Sequence, residues 1–108
     1  MPFPVQITMR GVARSPALDA SIGEKVAAFE RHRERITHCR VAVGEVGRHK
    51  RQGRGFEVSL ELGVPGHGDV VVTRRHDEDV YVAVRDAFDA ALRQLESIEA
   101  RRSRRAPG

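Results

Sequence analysis

Eight of the nineteen lysine and arginine residues are concentrated in two short stretches of the 108-residue sequence. The first stretch, RHKRQGRG, covers residues 48 to 55, and the second covers residues 101 to 105. The cations of the first stretch are Arg48, Lys50, Arg51 and Arg54; those of the second are Arg101, Arg102, Arg104 and Arg105. Neither stretch contains an acidic residue. Guanidinium groups bind phosphate oxygens through paired hydrogen bonds, so this pattern favours a polyanionic partner that is contacted at defined places.

The remainder of the chain has the opposite charge, with eleven cations against fifteen acidic residues and therefore a net charge of −4. The excess positive charge of the protein is thus confined to one turn and one end of the sequence, and is not spread over a uniformly basic surface. A simpler interpretation is that basic turns and tails only improve solubility. Composition alone leaves both interpretations open.

Residues that could support catalysis are present but do not form catalytic motifs. The five histidines are scattered, and the run HDED, residues 76 to 79, is explained by a helix N-terminus, where carboxylates are favourable, without a metal. The sequence GVPGHG lacks the Lys-Ser/Thr pair of a phosphate-binding loop, and Ser59 has no neighbouring base or oxyanion motif. We therefore expect no enzyme activity, no metal, no cofactor and no small-molecule substrate.

The basic turn lies between segments that alternate apolar and polar residues, as strands with one buried face do. The predicted strands are VQITMR (5–10), ITHCRVAVGEV (36–46), FEVSLELGV (56–64) and VVVTR (70–74). The one cysteine, Cys39, falls on an apolar strand face and is predicted to be a buried thiol; it can form no disulfide within the chain. An exposed edge strand of the sheet leaves self-association open.

Two segments show helical periodicity. Leu18, Ile22, Val26 and Phe29 form a stripe that follows a capping serine, Ser15, and a proline, and we expect this helix to end near residues 33 to 35. A second stripe runs from Val80 to Ile98, with acidic residues before it and arginines after it, as the helix dipole favours. On its polar face, the spacing of Asp89 and Arg93 predicts an ion pair one turn apart.

The element order β-α-β-β-β-α predicts a single α+β domain, residues 1–100, and a basic, flexible tail, residues 101–108. A mostly antiparallel four-stranded sheet would bury its apolar face under both helices and leave its other face open. Three of the four phenylalanines fall on predicted core stripes (Phe29, Phe56 and Phe88), and Phe3 falls on a frayed end. If the polyanionic partner is an RNA, we therefore do not expect base stacking to dominate its binding. No apolar run has the length of a membrane span or signal peptide, which predicts a cytoplasmic protein without a membrane partner.

The sequence resembles the ribosome hibernation-promoting factors, also described as ribosome-associated inhibitors, ribosomal subunit interface proteins or sigma-54 modulation proteins, in their short form. The strongest match is HDEDVYVAVRDAFDAALRQL, residues 76 to 95, where the family has HEDxY followed by a helix ending in RQL. SPALDASIGEKVAAFER and ITHCRVAV also match, in the right order. The resemblance implies a fold similar to double-stranded RNA-binding domains. It also implies binding to 16S rRNA of the 30S subunit and 70S ribosome, in the channel used by mRNA and tRNA, which silences translation in stationary phase or stress.

The resemblance and the basic stretches together suggest candidate rRNA-binding residues. Lys25 and Arg31 match basic positions of the family's first helix, and Arg93 and Arg101 match basic positions of the second. The full set is Lys25, Arg31, Arg48, Lys50, Arg51, Arg54, Arg85, Arg93, Arg101 and Arg102. Asp79 and Tyr81 also match, and we interpret them as helix capping and packing. Ala90 and Ser97 depart from the pattern, since family members often carry basic residues there.

Two other classes of function remain open on the sequence. A general double-stranded RNA-binding module or RNA chaperone would bind any A-form duplex with comparable affinity, whereas a ribosome-binding protein would select 30S or 70S particles. A protein-binding regulator, for example of transcription, would bind a partner that survives nuclease treatment, with a weak dependence on salt.

Overall fold

The computed structural model describes residues 3–46, 55–65 and 69–105, and at residues 69, 70 and 102–105 it describes the backbone only. The elements are β1 (Val5–Arg10), α1 (Pro16–Ala27), a 3₁₀ segment (Glu30–Arg35), β2 (His38–Val46), β3 (Gly55–Val64), β4 (Asp69–Asp77) and α2 (Val80–Arg105). This order confirms the predicted α+β fold. The basic turn, with Arg48, Lys50, Arg51 and Arg54, lies outside the described residues.

The four strands form one sheet in the order β1-β2-β3-β4. β1 pairs with β2 in parallel, and β2, β3 and β4 pair antiparallel. The parallel pair is possible because the chain returns through α1 and the 3₁₀ segment before it enters β2. Gly11, at φ +70°, allows the chain to turn immediately after β1.

The core lies between one face of the sheet and the two helices. Alternate strand residues supply Cys39, Val41, Val43, Val58, Leu60 and Leu62, each with at most 1% of its surface exposed. α2 lies over β3 and β4, and α1 packs beside it. Phe29 and Phe88 stack across the helices with ring centroids 5.6 Å apart. A buried hydroxyl, Thr73 Oγ1, donates to the Ala87 carbonyl at 2.9 Å and ties β4 to α2.

Two predictions about local structure were wrong. The first α-helix ends at Ala27 rather than near residues 33 to 35, because the following 3₁₀ segment has no buried residue with which a continued helix could pack. Phe3 is not frayed but buried, with 3% of its surface exposed. The carbonyl of Pro4 accepts a hydrogen bond from Cys39 N at 3.0 Å, which extends the β1–β2 pairing and keeps Phe3 on the apolar face.

The predicted buried thiol is confirmed. Cys39 has 1% of its surface exposed, and burial raises its pKa from 9.0 to about 12. A thiol in this state is protonated at neutral pH and is a poor nucleophile. No helix in the described part of the chain is both long enough and apolar enough to cross a membrane.

Candidate nucleic-acid interface

The cations of the described residues differ in their carboxylate partners. Six of them contact a carboxylate within 4.0 Å: Arg14, Arg33, Arg35, Arg40, Arg74 and Arg85. The candidates Lys25, Arg31, Arg93 and Arg101 form no ion pair with any described residue. A cation without an internal carboxylate partner keeps its full charge for an external anion, so these four are the better placed to bind phosphate.

α1 and the 3₁₀ segment position Lys25 and Arg31. Ser15 caps α1, with its Oγ accepting a hydrogen bond from Leu18 N at 3.1 Å, and this fixes where the helix starts. Lys25 lies in the last turn of α1, where a cation also complements the helix dipole. Arg31 lies in the 3₁₀ segment and not in the α-helix to which the resemblance assigned it. It is exposed, and so is its neighbour Arg33, which is 3.7 Å from Glu30.

α2 carries Arg85, Arg93 and Arg101 at intervals of eight residues, and all three are exposed. Arg85 is held by Asp86 at 3.1 Å, which reduces its availability. Within the described residues Arg93 has no ion pair, so the predicted pair with Asp89 is not formed. Arg101 donates from Nη1 to Ser97 Oγ at 3.1 Å, a neutral partner that leaves the charge uncompensated. Arg102 belongs to the same helix, and only its backbone is described.

The start of α2 confirms the capping role of Asp79 and limits the packing role of Tyr81 to the surface. Asp79 Oδ1 accepts a hydrogen bond from Tyr81 N at 2.9 Å, and Asp77 Oδ1 accepts one from Asp79 N at 2.9 Å. Tyr81 itself has 44% of its surface exposed. Its ring is therefore not part of the core, and any packing it makes is at the surface.

A contact between the 3₁₀ segment and α2 brings Arg31 and Arg101 to the same end of the molecule. His32 Nδ1 lies 3.0 Å from the carboxylate of Glu99, and Arg35 Nε lies 3.9 Å from Glu99 Oε2. The His32 side chain is only 10% exposed, so its contact with Glu99 is partly buried and does not lie on the open surface. It fixes the C-terminal half of α2 against the segment that carries Arg31.

The strand ends that flank the first basic stretch and the C-terminal end of α2 lie at opposite ends of the domain. Val46, the last residue of β2, pairs with Gly55, the first residue of β3. β4 ends and α2 begins at this same end of the sheet. α2 then runs back along the sheet for 26 residues, which is about 39 Å at 1.5 Å per residue. Residues 101 to 105 therefore lie far from the strand ends that flank the basic turn.

The sequence interpretation did not identify the cations of the open sheet face. Arg10, Arg40 and Arg74 lie there on three different strands. The period-2 alternation that placed Glu57 and Glu61 on the polar face also places Arg40 and Arg74 there, so the signal was present in the sequence. Among the described residues, no three His, Cys, Asp or Glu side chains are grouped as metal ligands would be.

Three comparisons with known proteins agree with one another. The family model described as "Sigma 54 modulation protein / S30EA ribosomal protein" matches residues 5–103. A ribosome hibernation promotion factor from Deinococcus radiodurans is 30% identical over 98 residues, which are 89% of this chain and 49% of that protein. The chain therefore spans about half the length of this curated relative.

Two solved structures have the same fold. A ribosomal subunit interface protein from Coxiella burnetii superposes with a TM-score of 0.75 at 20% identity, over 91% of this chain and 99% of that chain. The Protein Y N-terminal domain from Thermus thermophilus superposes with a TM-score of 0.71 at 18% identity, over 86% of this chain and 94% of that chain. At these identities the likeness concerns the fold alone.

Proposed function

Because the chain belongs to the sigma 54 modulation protein / S30EA ribosomal protein family, we propose that it is a ribosome hibernation factor. It binds the 16S rRNA of the 30S subunit, free or within the 70S ribosome, in the channel that mRNA and tRNA use. It acts in the cytoplasm, in stationary phase or under stress. It silences translation by occupying this space, without catalysis.

The observation that carries the proposal is a set of four cations on the helix side of a domain of this family, none of which pairs with a carboxylate among the described residues: Lys25, Arg31, Arg93 and Arg101. They come from α1, the 3₁₀ segment and α2. The core joins the two α-helices and the contact between His32 and Glu99 joins the 3₁₀ segment to α2, so their spacing is fixed before binding and little ordering is required. Ribosomal RNA presents phosphates at many fixed positions, which suits such a preformed set. The described part of this surface lacks clustered exposed aromatics, which favours recognition of shape and backbone over base stacking.

The separation of the two basic stretches supports a large, folded RNA as the partner. Phosphates must be available over about 40 Å to engage both ends of α2. A ribosomal cleft offers RNA on several sides of a bound domain. We propose that Arg48, Lys50, Arg51 and Arg54 contact rRNA at one end, and that Arg101 and Arg102 do so at the other.

The test is sedimentation of the purified protein with 30S subunits and 70S ribosomes through a sucrose gradient, with an A-form RNA duplex as competitor. We expect co-sedimentation that a tenfold excess of duplex does not displace, and its loss when Arg48, Lys50, Arg51 and Arg54 are changed to alanine together. Equal affinity for the duplex would instead establish a general double-stranded RNA-binding module. Binding that survives nuclease treatment and hardly responds to salt would establish a protein partner.

A further inference from the structure

The open face of the sheet forms a shallow depression of about 260 Å³ that no helix covers. Thr8, Ala42 and Ser59 lie side by side on adjacent strands in its middle, and their short side chains leave the space above the backbone free. Long side chains surround them, and Arg10, Arg40 and Arg74 are among the residues that line the depression. The result is a polar depression bounded by three guanidinium groups and by the carboxylate of Glu61.

These three arginines are available to an external anion. Arg10 has no carboxylate within ion-pair distance among the described residues. Arg40 is 3.5 Å from Glu61 and Arg74 is 3.8 Å from Glu57, both longer than a normal charged hydrogen bond. The Arg40 and Arg74 side chains are 62% and 66% exposed, so water screens these contacts and they hold the guanidinium groups weakly.

The arginines are spaced for a ligand with several anionic groups. They occupy three strands and three different rows of the sheet, with Gln6 opposite Arg40, Ser59 opposite Arg74 and Arg10 opposite Gly44. With about 4.8 Å between strands and about 3.3 Å per residue, their Cα atoms are roughly 12 to 16 Å apart. One phosphate cannot contact all three, whereas successive phosphates of a nucleic-acid strand can.

Gly44 is a second indication that a ligand approaches the sheet closely. It lies inside β2, where glycine weakens a strand and often marks such an approach. A Cβ atom at this position would meet only Arg10 Cβ and Arg10 O, both at 3.9 Å, which is ordinary contact. Packing within the chain therefore does not require glycine here. A larger side chain would instead stand between Arg10 and Glu57 on the open face.

We propose that the open sheet face binds the sugar-phosphate backbone of a single RNA strand. Arg10, Arg40 and Arg74 contact successive phosphates, while the hydroxyls of Thr8 and Ser59 can hydrogen-bond to phosphate or ribose oxygens. Val72, which is 50% exposed at the edge of the depression, offers apolar contact to a ribose or base. The described residues of this face include no Phe, Tyr or Trp, so binding is tolerant of sequence.

A single strand fits this surface better than a duplex because a flexible strand can place its backbone in a shallow depression, whereas a duplex holds its phosphates on a rigid convex surface. The proposal rests on the sheet face alone and is independent of what the helix side binds. Its failure would leave the proposed function untouched, because the two surfaces carry different arginines.

β4 provides a matched pair of variants. Arg74 faces the depression opposite Ser59, and its neighbour Arg75 is opposite the buried Val58 and thus on the other side of the sheet. Both arginines are exposed, and Arg74→Ala and Arg75→Ala remove the same charge from the same strand. Glu57→Gln is the complementary variant, since it releases Arg74 from its carboxylate neighbour.

The experiment is fluorescence anisotropy of a labelled 12-nucleotide oligouridylate with the full chain, at several salt concentrations, after thermal melts have shown that each variant is folded. We expect Arg74→Ala to lower the salt slope by about 0.7, the value for one phosphate contact on a single strand. Arg75→Ala should leave the slope unchanged, and Glu57→Gln should tighten binding. In an NMR titration, the amides of Thr8, Ala42 and Ser59 should shift.

Equal losses in Arg74→Ala and Arg75→Ala would overturn the proposal, since they would show an effect of net charge alone. Shifts confined to the helices would overturn it as well. If uridine monophosphate or polyglutamate displaced the oligonucleotide at equal concentration of anionic groups, the surface would be a general anion site and the assignment to an RNA strand would be wrong. Helix-side variants tested on 30S subunits report separately on the proposed function.

Discussion

The comparison of Arg31 and Arg93 with Arg14 and Arg85 tests whether free charge, rather than total charge, determines ribosome binding. Arg31 and Arg93 form no ion pair with a described residue, whereas Arg14 is 3.2 Å from Asp19 and Arg85 is 3.1 Å from Asp86. The double variants Arg31→Ala/Arg93→Ala and Arg14→Ala/Arg85→Ala each lower the net charge by two. Arg85 and Arg93 even share the same helix, α2.

The magnitude follows from the release of counterions. On a nucleic-acid duplex, each phosphate contact contributes about 0.9 to the slope of log affinity against log salt concentration. Losing Arg31 and Arg93 should therefore lower this slope by about 1.8. Between 50 and 200 mM salt, the wild-type protein should then lose roughly tenfold more affinity than this double variant. The control double variant should change the slope by less than half as much, because its arginines already have carboxylate partners.

The assay is binding of fluorescently labelled protein to purified 30S subunits over this range of salt, with circular dichroism melts as a control for folding. All four side chains are exposed, so we expect both double variants to fold normally. If the two double variants lost affinity and salt dependence equally, the ion pairs would be irrelevant and the argument from free charge would be refuted.

Three further predictions concern stability. Gly23→Ala should raise the free energy of unfolding in urea by about 0.5 to 1 kcal/mol, because Gly23 lies in an α-helix and a Cβ atom there would meet nothing within 4 Å. Gly63→Ala should instead lower it, because the added Cβ atom would overlap Thr37 and His38. Ser15→Ala should cost about 1 kcal/mol of unfolding free energy through loss of the cap on α1; an unchanged midpoint would contradict this role. Burial raises the pKa of Cys39 from 9.0 to about 12, so the folded state disfavours the thiolate. The contribution of Cys39 to stability should be constant below pH 9 and fall by about 1.4 kcal/mol per pH unit between pH 9 and about 12, and Cys39→Ser should abolish that part of the pH dependence.

The sequence was sufficient to predict the fold because local patterns and long-range packing agree. Alternation in β2 and β3 placed Cys39, Val41, Leu60 and Leu62 on one face, and they form the core. The alternation of apolar and polar residues did not predict the part of β4 that lacks this alternation. β4 continues through polar residues to Asp77 because it pairs with β3 up to Phe56, and no property of those residues themselves predicts this.

The candidate site could be predicted only in part, for a physical reason. Sequence shows which residues are cationic, but the availability of a cation depends on carboxylates brought close by the fold. Arg40 meets Glu61, which is 21 residues away, and Arg35 meets Glu99 on α2. The Asp89–Arg93 pair was predicted from helical spacing and is not formed, so Arg93 has no carboxylate partner among the described residues. Only three-dimensional structure distinguishes these cases.

The arrangement of charge explains how a domain that is acidic outside its two basic stretches can bind RNA. Acidic residues such as Glu57 and Glu61 hold sheet-face arginines weakly, and Glu99 joins α2 to the 3₁₀ segment, so the carboxylates organise cations as well as reduce the net charge. An RNA that only approached the surface would meet mixed charges and be bound weakly. An RNA that surrounds the domain can reach the free cations of the helix side, those of the sheet face and the two basic stretches at once. The distribution of charge therefore favours a partner with phosphates on several sides of the protein over a single exposed duplex.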